Sequence, residues 1–205
     1  MLGVGRRGEW QRGEALLRAG DHADHAIILM VGFVKIHLSG TDGAEVVVDL
    51  SGPGDLLGET AAFSGGTRSA SATALEPVEG LIVDIRDFRE FISRRPAVTF
   101  ALLEMALARL HLANARRSEF ATTTSLARVA SRLVELTERF GTTVSGGEVD
   151  VALPVTQEEL ASWSATSRES IARSLRTLRS LGLIQTRRRR LIVGDLGRLR
   201  DHASP

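Results

Sequence analysis

The chemistry of the chain changes once, at Asp84, and that change constrains the fold more than any other feature. From about Trp10 to Asp84 the sequence consists of short β-prone runs: Ala26 to Val31, Phe33 to Leu38, Ala44 to Leu50 and Val78 to Asp84. Turn-forming residues separate them: Gly13, Gly20-Asp21, Gly32, Gly40 to Gly43, Gly52-Pro53-Gly54-Asp55 and Gly65-Gly66. Short strands at this spacing predict an antiparallel β-barrel or jelly roll.

After Asp84 helix formers take over, so the class expected is α+β. A short helix is predicted near Arg86 to Arg94. Pro96 then suits a first helical position, where its missing N–H has no partner to lose, and a long helix is predicted from there to about Phe120. Along it Phe100, Leu103, Leu107, Leu110, Asn114 and Arg117 recur at alternating steps of three and four. That is the spacing of a coiled-coil seam, and two such helices can pair about a two-fold axis to give a homodimer. Packing of the same stripe on the chain's own β-domain is the alternative. Thr122-Thr123-Thr124-Ser125 interrupts the helix and can start a new one at Leu126, which makes it a hinge. A helix from Leu126 to Phe140 follows, then a β-prone segment from Val144 to Leu153.

With 205 residues the chain has room for two small domains, and 43% hydrophobic against 25% charged residues is the balance of a folded protein. The absence of cysteine excludes disulfides, thiolate metal sites and a cysteine nucleophile. No run approaches the roughly 18 consecutive apolar residues of a membrane span, and Met1 to Trp10 lacks a signal-peptide core, so a cytoplasmic protein without a membrane partner is expected. Charge is distributed unevenly. Residues 157–205 hold 10 arginines and 5 acids, net +5, whereas residues 1–156 hold 16 basic and 20 acidic side chains, net −4. The basic end is where a polyanion would bind.

That end has the outline of a helix-turn-helix. Thr156-Gln157-Glu158-Glu159 is a capping box opening a short helix to about Ser164. After a turn at Ala165-Thr166, either Thr166 or Ser167 can cap a second helix that runs through Leu181 and is stopped by Gly182. On it Ile171, Leu175 and Leu178 share one sector, and Arg168, Glu169, Ala172, Arg173 and Arg176 the opposite one. Arginine pairs bidentately with the guanine edge and glutamate accepts from cytosine, so Arg168, Glu169 and Arg173 form a plausible base-reading set. Leu183 to Thr186, Arg187 to Arg190 and Leu191 to Val193 read as a β-hairpin whose arginine tip, Arg187, Arg188 and Arg189, would hold double-stranded DNA by its phosphates.

The stretch Thr166-Ser167-Arg168-Glu169-Ser170-Ile171-Ala172-Arg173 resembles the recognition-helix signature of the cyclic AMP receptor protein (CRP/FNR) family. The resemblance implies Arg168 and Arg173 on guanines of a TGTGA-type half-site, Glu169 on the opposing cytosine and Ser167 on a phosphate. Ala165 departs from the glycine common at that turn. The stretch from Gly58-Glu59-Thr60-Ala61-Ala62-Phe63 through Arg68-Ser69-Ala70 is similar to the phosphate-binding cassette of cyclic nucleotide domains. On chemistry alone Glu59 and Arg68, nine positions apart, are more often a surface ion pair, worth little. The resemblance implies a cyclic phosphate on Arg68 and Ser69 and a ribose on Glu59 and the Gly58 backbone. It extends from about Trp10 to Asp201.

For the base, the family's adjacent Thr and Ser are replaced by Ala113 and Asn114. Asn114 either bonds a purine edge or pairs with its symmetry mate to fix the helix register. The expected organisation is a cyclic-nucleotide-binding-like β-barrel sensor over 1–95, a dimerisation helix over 96–121 and a winged helix-turn-helix over 122–205. Cyclic AMP is the expected effector and RNA polymerase a further partner. A regulator with another ligand, or with none, is the alternative.

The remaining rival is a metal-dependent β-barrel enzyme, prompted by His22 and His25 beside Asp21 and Asp24. No third ligand stands at the spacing of a catalytic set, and no Ser-His-Asp elbow or P-loop occurs, so neither catalysis nor a metal is expected.

Overall fold

The computed structural model describes residues 5–40, 45–64, 66–152, 155–187 and 189–203. The chain resolves into two compact units, residues 1–112 and 113–205, divided inside the long helix.

In the first unit the order is β1 (Arg6–Trp10), β2 (Ala15–Leu17), β3 (His25–Val31), β4 (Val34–Ser39), β5 (Glu45–Ser51), β6 (Leu56–Leu57), α1 (Glu59–Ser64), β7 (Ser71–Ala74), β8 (Val78–Asp84) and α2 (Ile85–Ser93). The helix α3 (Pro96–Thr122) begins in this unit. The strands pair antiparallel into two four-stranded sheets, ordered β1-β8-β3-β6 and β2-β7-β4-β5. The jelly-roll expectation therefore holds, as two facing sheets rather than a closed barrel. Leu17, Ile27, Leu29, Val34, Ala74 and Val78 fill the space between them.

A second core lies on the other face of the first sheet, where Ala26, Leu81 and Val83 meet Phe88 and Ile92 of α2. Successive side chains of a strand point to opposite faces. Ala26 and Ile27 thus feed different cores, and β3 reads as a continuous apolar run because both its faces are covered. Gly32, at φ +81° in the tight β3–β4 connection, leaves no room for a side chain: a Cβ there would lie 2.3 Å from the Pro77 carbonyl oxygen.

Asp84 caps α2 by accepting from the Arg86 N–H. Along α3, Val98, Leu102 and Met105 pack on the second core. The expected seam is a different stripe: Phe100, Leu103, Leu107 and Leu110 remain 46 to 68% exposed. Among the described residues α3 is the one helix long and apolar enough, by length and composition, to cross a membrane. Its apolarity is spread over two stripes, one of which already packs on the sheet.

The second unit holds the end of α3, then α4 (Ser125–Phe140), β9 (Gly141–Thr143), β10 (Val149–Ala152), α5 (Gln157–Trp163), α6 (Arg168–Ser180), β11 (Ile184–Arg187), β12 (Arg190–Val193) and α7 (Leu196–Ala203). Thr124 caps α4 by accepting from the Ala127 N–H, which ends the helix break at Thr122-Thr123. The four strands form one antiparallel sheet, β11-β12-β10-β9. Val129, Leu133, Leu136, Leu160, Ile171 and Leu178 are fully buried and constitute the core of the unit.

Candidate ligand pocket and nucleic-acid interface

In the first unit Gly58, Glu59, Arg68 and Ser69 line one cleft of about 200 Å³, so the sequence-predicted cassette residues are brought together. Gly58 follows β6 at φ +78°, and a Cβ there would sit 2.3 Å from Arg68 Nη1. Only glycine lets the guanidinium approach this backbone.

Arg68 is 5% exposed. Its Nη2 donates to the His25 carbonyl at 2.6 Å and its Nη1 to the Gly58 carbonyl at 3.2 Å, with Asp24 Oδ1 3.6 Å away. Burial pulls its pKa below the ordinary arginine value, and the carboxylates of Asp24, Asp21 and Glu59 oppose that shift. Glu59 opens α1, and Arg109 of α3 donates to its Oε1 and, at 3.1 Å, to the Leu56 carbonyl. Ser69 is exposed at the rim.

Arg109 and Asp49 also line the cleft and went unread in the sequence. Their signal was present: each is a lone charge in an apolar run, Val46-Val47-Val48-Asp49-Leu50 and Met105-Ala106-Leu107-Ala108-Arg109-Leu110. Asn114 is exposed on α3 in the second unit. His25 Nδ1 lies 2.5 Å from Asp24 Oδ1 and His22 bridges to Thr67. Among the described residues no group of three or more His, Asp or Glu side chains could hold a metal.

In the second unit the capping box is complete, Glu159 N–H to Thr156 Oγ1 at 3.1 Å and Thr156 N–H to Glu159 Oε2 at 2.8 Å. Ser167 caps α6, accepting from the Ser170 N–H at 3.2 Å. Ala165 between the helices has φ +47°, the left-handed conformation that costs a residue with a Cβ. Arg128 of α4 braces this turn, donating from Nε to the Ser164 carbonyl at 3.0 Å and from Nη2 to that of Ala165 at 3.2 Å.

Ile171, Leu175 and Leu178 of α6 face the core, while Ser167, Arg168, Glu169, Arg173 and Arg176 are exposed. The Glu169 carboxylate is held below its ordinary pKa by its own backbone N–H and by Ser167, with Arg168 and Arg173 adding to the effect. It is therefore an acceptor at neutral pH. Arg187 pairs with Arg190 across the β11–β12 hairpin, and Arg189 turns the tip at φ +56°. Arg188 lies outside the described residues. Arg190 is taken up by a two-pronged pair with Asp150 of β10, whereas Arg187 and Arg189 are exposed. A groove of about 320 Å³ runs between the start of α5, α6 and this wing, lined by Thr156, Gln157, Arg176, Arg179, Arg187 and Arg189.

Residues 7–95 match the model of a cyclic nucleotide-binding domain, and residues 127–202 that of a Crp-like helix-turn-helix domain. A CRP-like cAMP-activated global transcriptional regulator of Mycobacterium tuberculosis is 32% identical over 195 residues, covering 95% of this chain and 87% of that one. This chain belongs to the CRP/FNR family of transcription regulators. FixK2 from Bradyrhizobium japonicum shares the fold of this regulator at TM-score 0.87 and 20% identity, over 98% of each chain. The c-di-GMP responsive global regulator CLP from Xanthomonas campestris does so at TM-score 0.75 and 21% identity, over 95% of this chain and 96% of that one. As a CRP/FNR regulator the protein is a DNA-binding transcription factor and not an enzyme. Its first domain is of the cyclic-nucleotide-binding type and its last is a winged helix-turn-helix.

Proposed function

We propose that the regulator is a cytoplasmic homodimer that binds cyclic AMP in the Arg68 cleft and reads a palindromic TGTGA-type operator with two copies of α6. In this reading residues 1–95 are the sensor, 96–121 the dimerisation helix and 122–205 the reading domain. The observation that carries it is the presence of both a cleft bearing a buried arginine and an outward arginine face. Arg68 and Glu59 offer a donor and an acceptor to a cyclic phosphate and a ribose. Arg168, Glu169 and Arg173 stand on the exposed side of a helix whose other side is core.

The exposed Phe100, Leu103, Leu107 and Leu110 stripe supports the dimer, because an apolar seam of this spacing is buried by a second copy of itself. Arg176, Arg187, Arg188 and Arg189 would hold backbone phosphates without reading sequence. Ser167 is exposed beside these arginines, and its hydroxyl, now turned to Ser170 Oγ, would have to turn outward to meet a phosphate. Asn114 serves either the purine edge or the register of the seam. RNA polymerase is the partner such a dimer would engage at a promoter.

A second reading, a different ligand or none, is favoured by one feature. Arg68 already spends one bond from each terminal nitrogen on a carbonyl, and Arg109 holds Glu59 Oε1, so a nucleotide meets only the donors and acceptors these bonds leave. The regulator of M. tuberculosis is described as cAMP-activated and that of X. campestris as c-di-GMP responsive.

A titration of a TGTGA palindrome at fixed salt, with and without cyclic AMP, tests the proposal. Tighter binding with the nucleotide is expected, and equal affinity for palindrome and random duplex would reject it. Calorimetry with cyclic AMP and cyclic GMP, with Arg68→Ala as control, decides between the two ligand readings.

A further inference from the structure

Between the last turns of α3 and the middle of α4, within the second unit, lies a charged cluster that touches neither the cleft nor the reading face. Arg132 of α4 is 2% exposed. Its Nη1 donates to Glu135 Oε2 at 3.0 Å, and its Nη2 crosses to Glu119 Oε2 of α3. Arg116 of α3 crosses the other way, its Nη2 at 2.7 and 2.9 Å from the two oxygens of Glu135. Ser131 Oγ closes the ring by donating to Glu119 Oε1 at 3.0 Å.

Trp163, at the end of α5, lies beneath both guanidiniums, 5.5 Å from Arg116 and 5.7 Å from Arg132. One turn earlier Arg128 donates at 2.7 Å to the Thr123 carbonyl in the helix break, while its other nitrogens hold the carbonyls of the helix-turn-helix turn. Thr166 Oγ1 meets Ser125 Oγ at 3.1 Å.

Burial lowers the Arg132 pKa, as does the neighbouring Arg116, and the two carboxylates counter both. A buried ion pair is a poor stabiliser, since desolvating the charges offsets most of their attraction, but it admits few geometries. Such a cluster is suited to fixing an angle. We propose that Arg116, Glu119 and Arg132 are positioning residues that lock the break at Thr122 to Ser125, so that the end of α3, α4 and the helix-turn-helix move as one body and the aim of α6 follows α3. The inference rests, for its effect on DNA, on the function proposed above.

The test uses the full chain with two variants. Arg116→Gln with Glu119→Gln replaces both charged ties between α3 and α4 by weaker neutral ones and leaves Arg132 paired with Glu135. Arg116→Met, Glu119→Leu, Arg132→Met and Glu135→Leu together replace both buried pairs by apolar contact, which removes the directional bonds between α3 and α4 while keeping the site packed. Hydrogen exchange over residues 113–124 is read on each, with affinity for a TGTGA palindrome and for random duplex.

A locked elbow predicts exchange in the glutamine variant faster than in the wild type, and palindrome affinity lower by about 3- to 30-fold in both variants, with random-duplex affinity unchanged. Unchanged exchange in the glutamine variant overturns the proposal. So does wild-type palindrome affinity in the apolar variant, which would mean that the cluster only stabilises. Should the wild type itself fail to prefer the palindrome, the operator reading falls and the exchange measurement alone decides the lock.

Discussion

The arginines of the ligand cleft and those of the reading face are put to opposite uses. In the first, Arg68 and Arg109 are held by carbonyl and carboxylate groups from segments far away in the chain. In the second, Arg168, Arg176, Arg187 and Arg189 are exposed, Arg168 with the adjacent Glu169 carboxylate acting on it. A held guanidinium is fixed in aim and has only its remaining N–H groups to offer a ligand, and an outward one is an open charge that a polyanion meets directly. Net charge registers the difference only coarsely, and partner and burial decide it for each residue.

The largest effect expected from this contrast is at Arg68. Arg68→Ala leaves the His25 and Gly58 carbonyls without their donor, and a loss of about 2 to 4 kcal/mol from the first unit is expected in denaturant unfolding, together with loss of nucleotide binding by calorimetry. Wild-type stability in this variant would break the distinction between held and open arginines. Arg173→Ala should leave unfolding unchanged and reduce discrimination at one base pair by about 1 to 3 kcal/mol, read by titrating single-substituted palindromes. An equal loss on every sequence would demote Arg173 to a phosphate contact.

Arg187→Ala sharpens the contrast within the second unit. It should weaken palindrome and random duplex alike and lower the slope of log affinity against log salt by about 1. A change in base preference would contradict a wing that holds only phosphates.

The smallest effect concerns a buried group with an incomplete set of partners. His37 Nε2 lies 3.0 Å from Thr73 Oγ1, its Nδ1 is without a hydrogen bond, and Glu45 Oε1 is 3.7 Å away. Burial lowers its pKa from 6.5, Glu45 opposing the shift and Lys35 assisting it. The unfolded chain then takes up the proton more readily than the folded one, so this contribution is complete above pH 6.5 and is lost as the pH falls below it. Melting of the wild type should show a shallow decline there that His37→Gln removes, and parallel profiles for the two would dismiss the effect.

How much was legible in the sequence followed the range of the forces at each place. β3, β4, β5 and β8 were readable because they are long enough to carry an apolar pattern. β1, with sequence Arg-Arg-Gly-Glu-Trp, and the two-residue β6 were not, since pairing with β8 and β3 is what makes them strands. The helix-turn-helix was legible almost to the residue, because Thr156, Glu159 and Ser167 act on N–H groups three positions away. The left-handed Ala165 was reached only through the family resemblance, as the residue standing where that turn commonly has glycine. Arg109 was missed, as its partner Glu59 lies 50 positions off, and the Arg132 cluster was missed for the same reason.

The sequence by itself determined the order of modules, the start and stop of the reading helix, the side of it that faces outward and the end of the chain that carries positive charge. Caps, turns and helical periodicity act within a few residues, so no fold was needed to see them. Only the tertiary structure decided which arginines are spent internally, on His25, Gly58, Glu59, Glu119 or Asp150, and which stripe of α3 is left open. Those outcomes depend on groups 10 to 50 positions apart being brought within hydrogen-bond distance. A guanidinium's role is set by what it meets there.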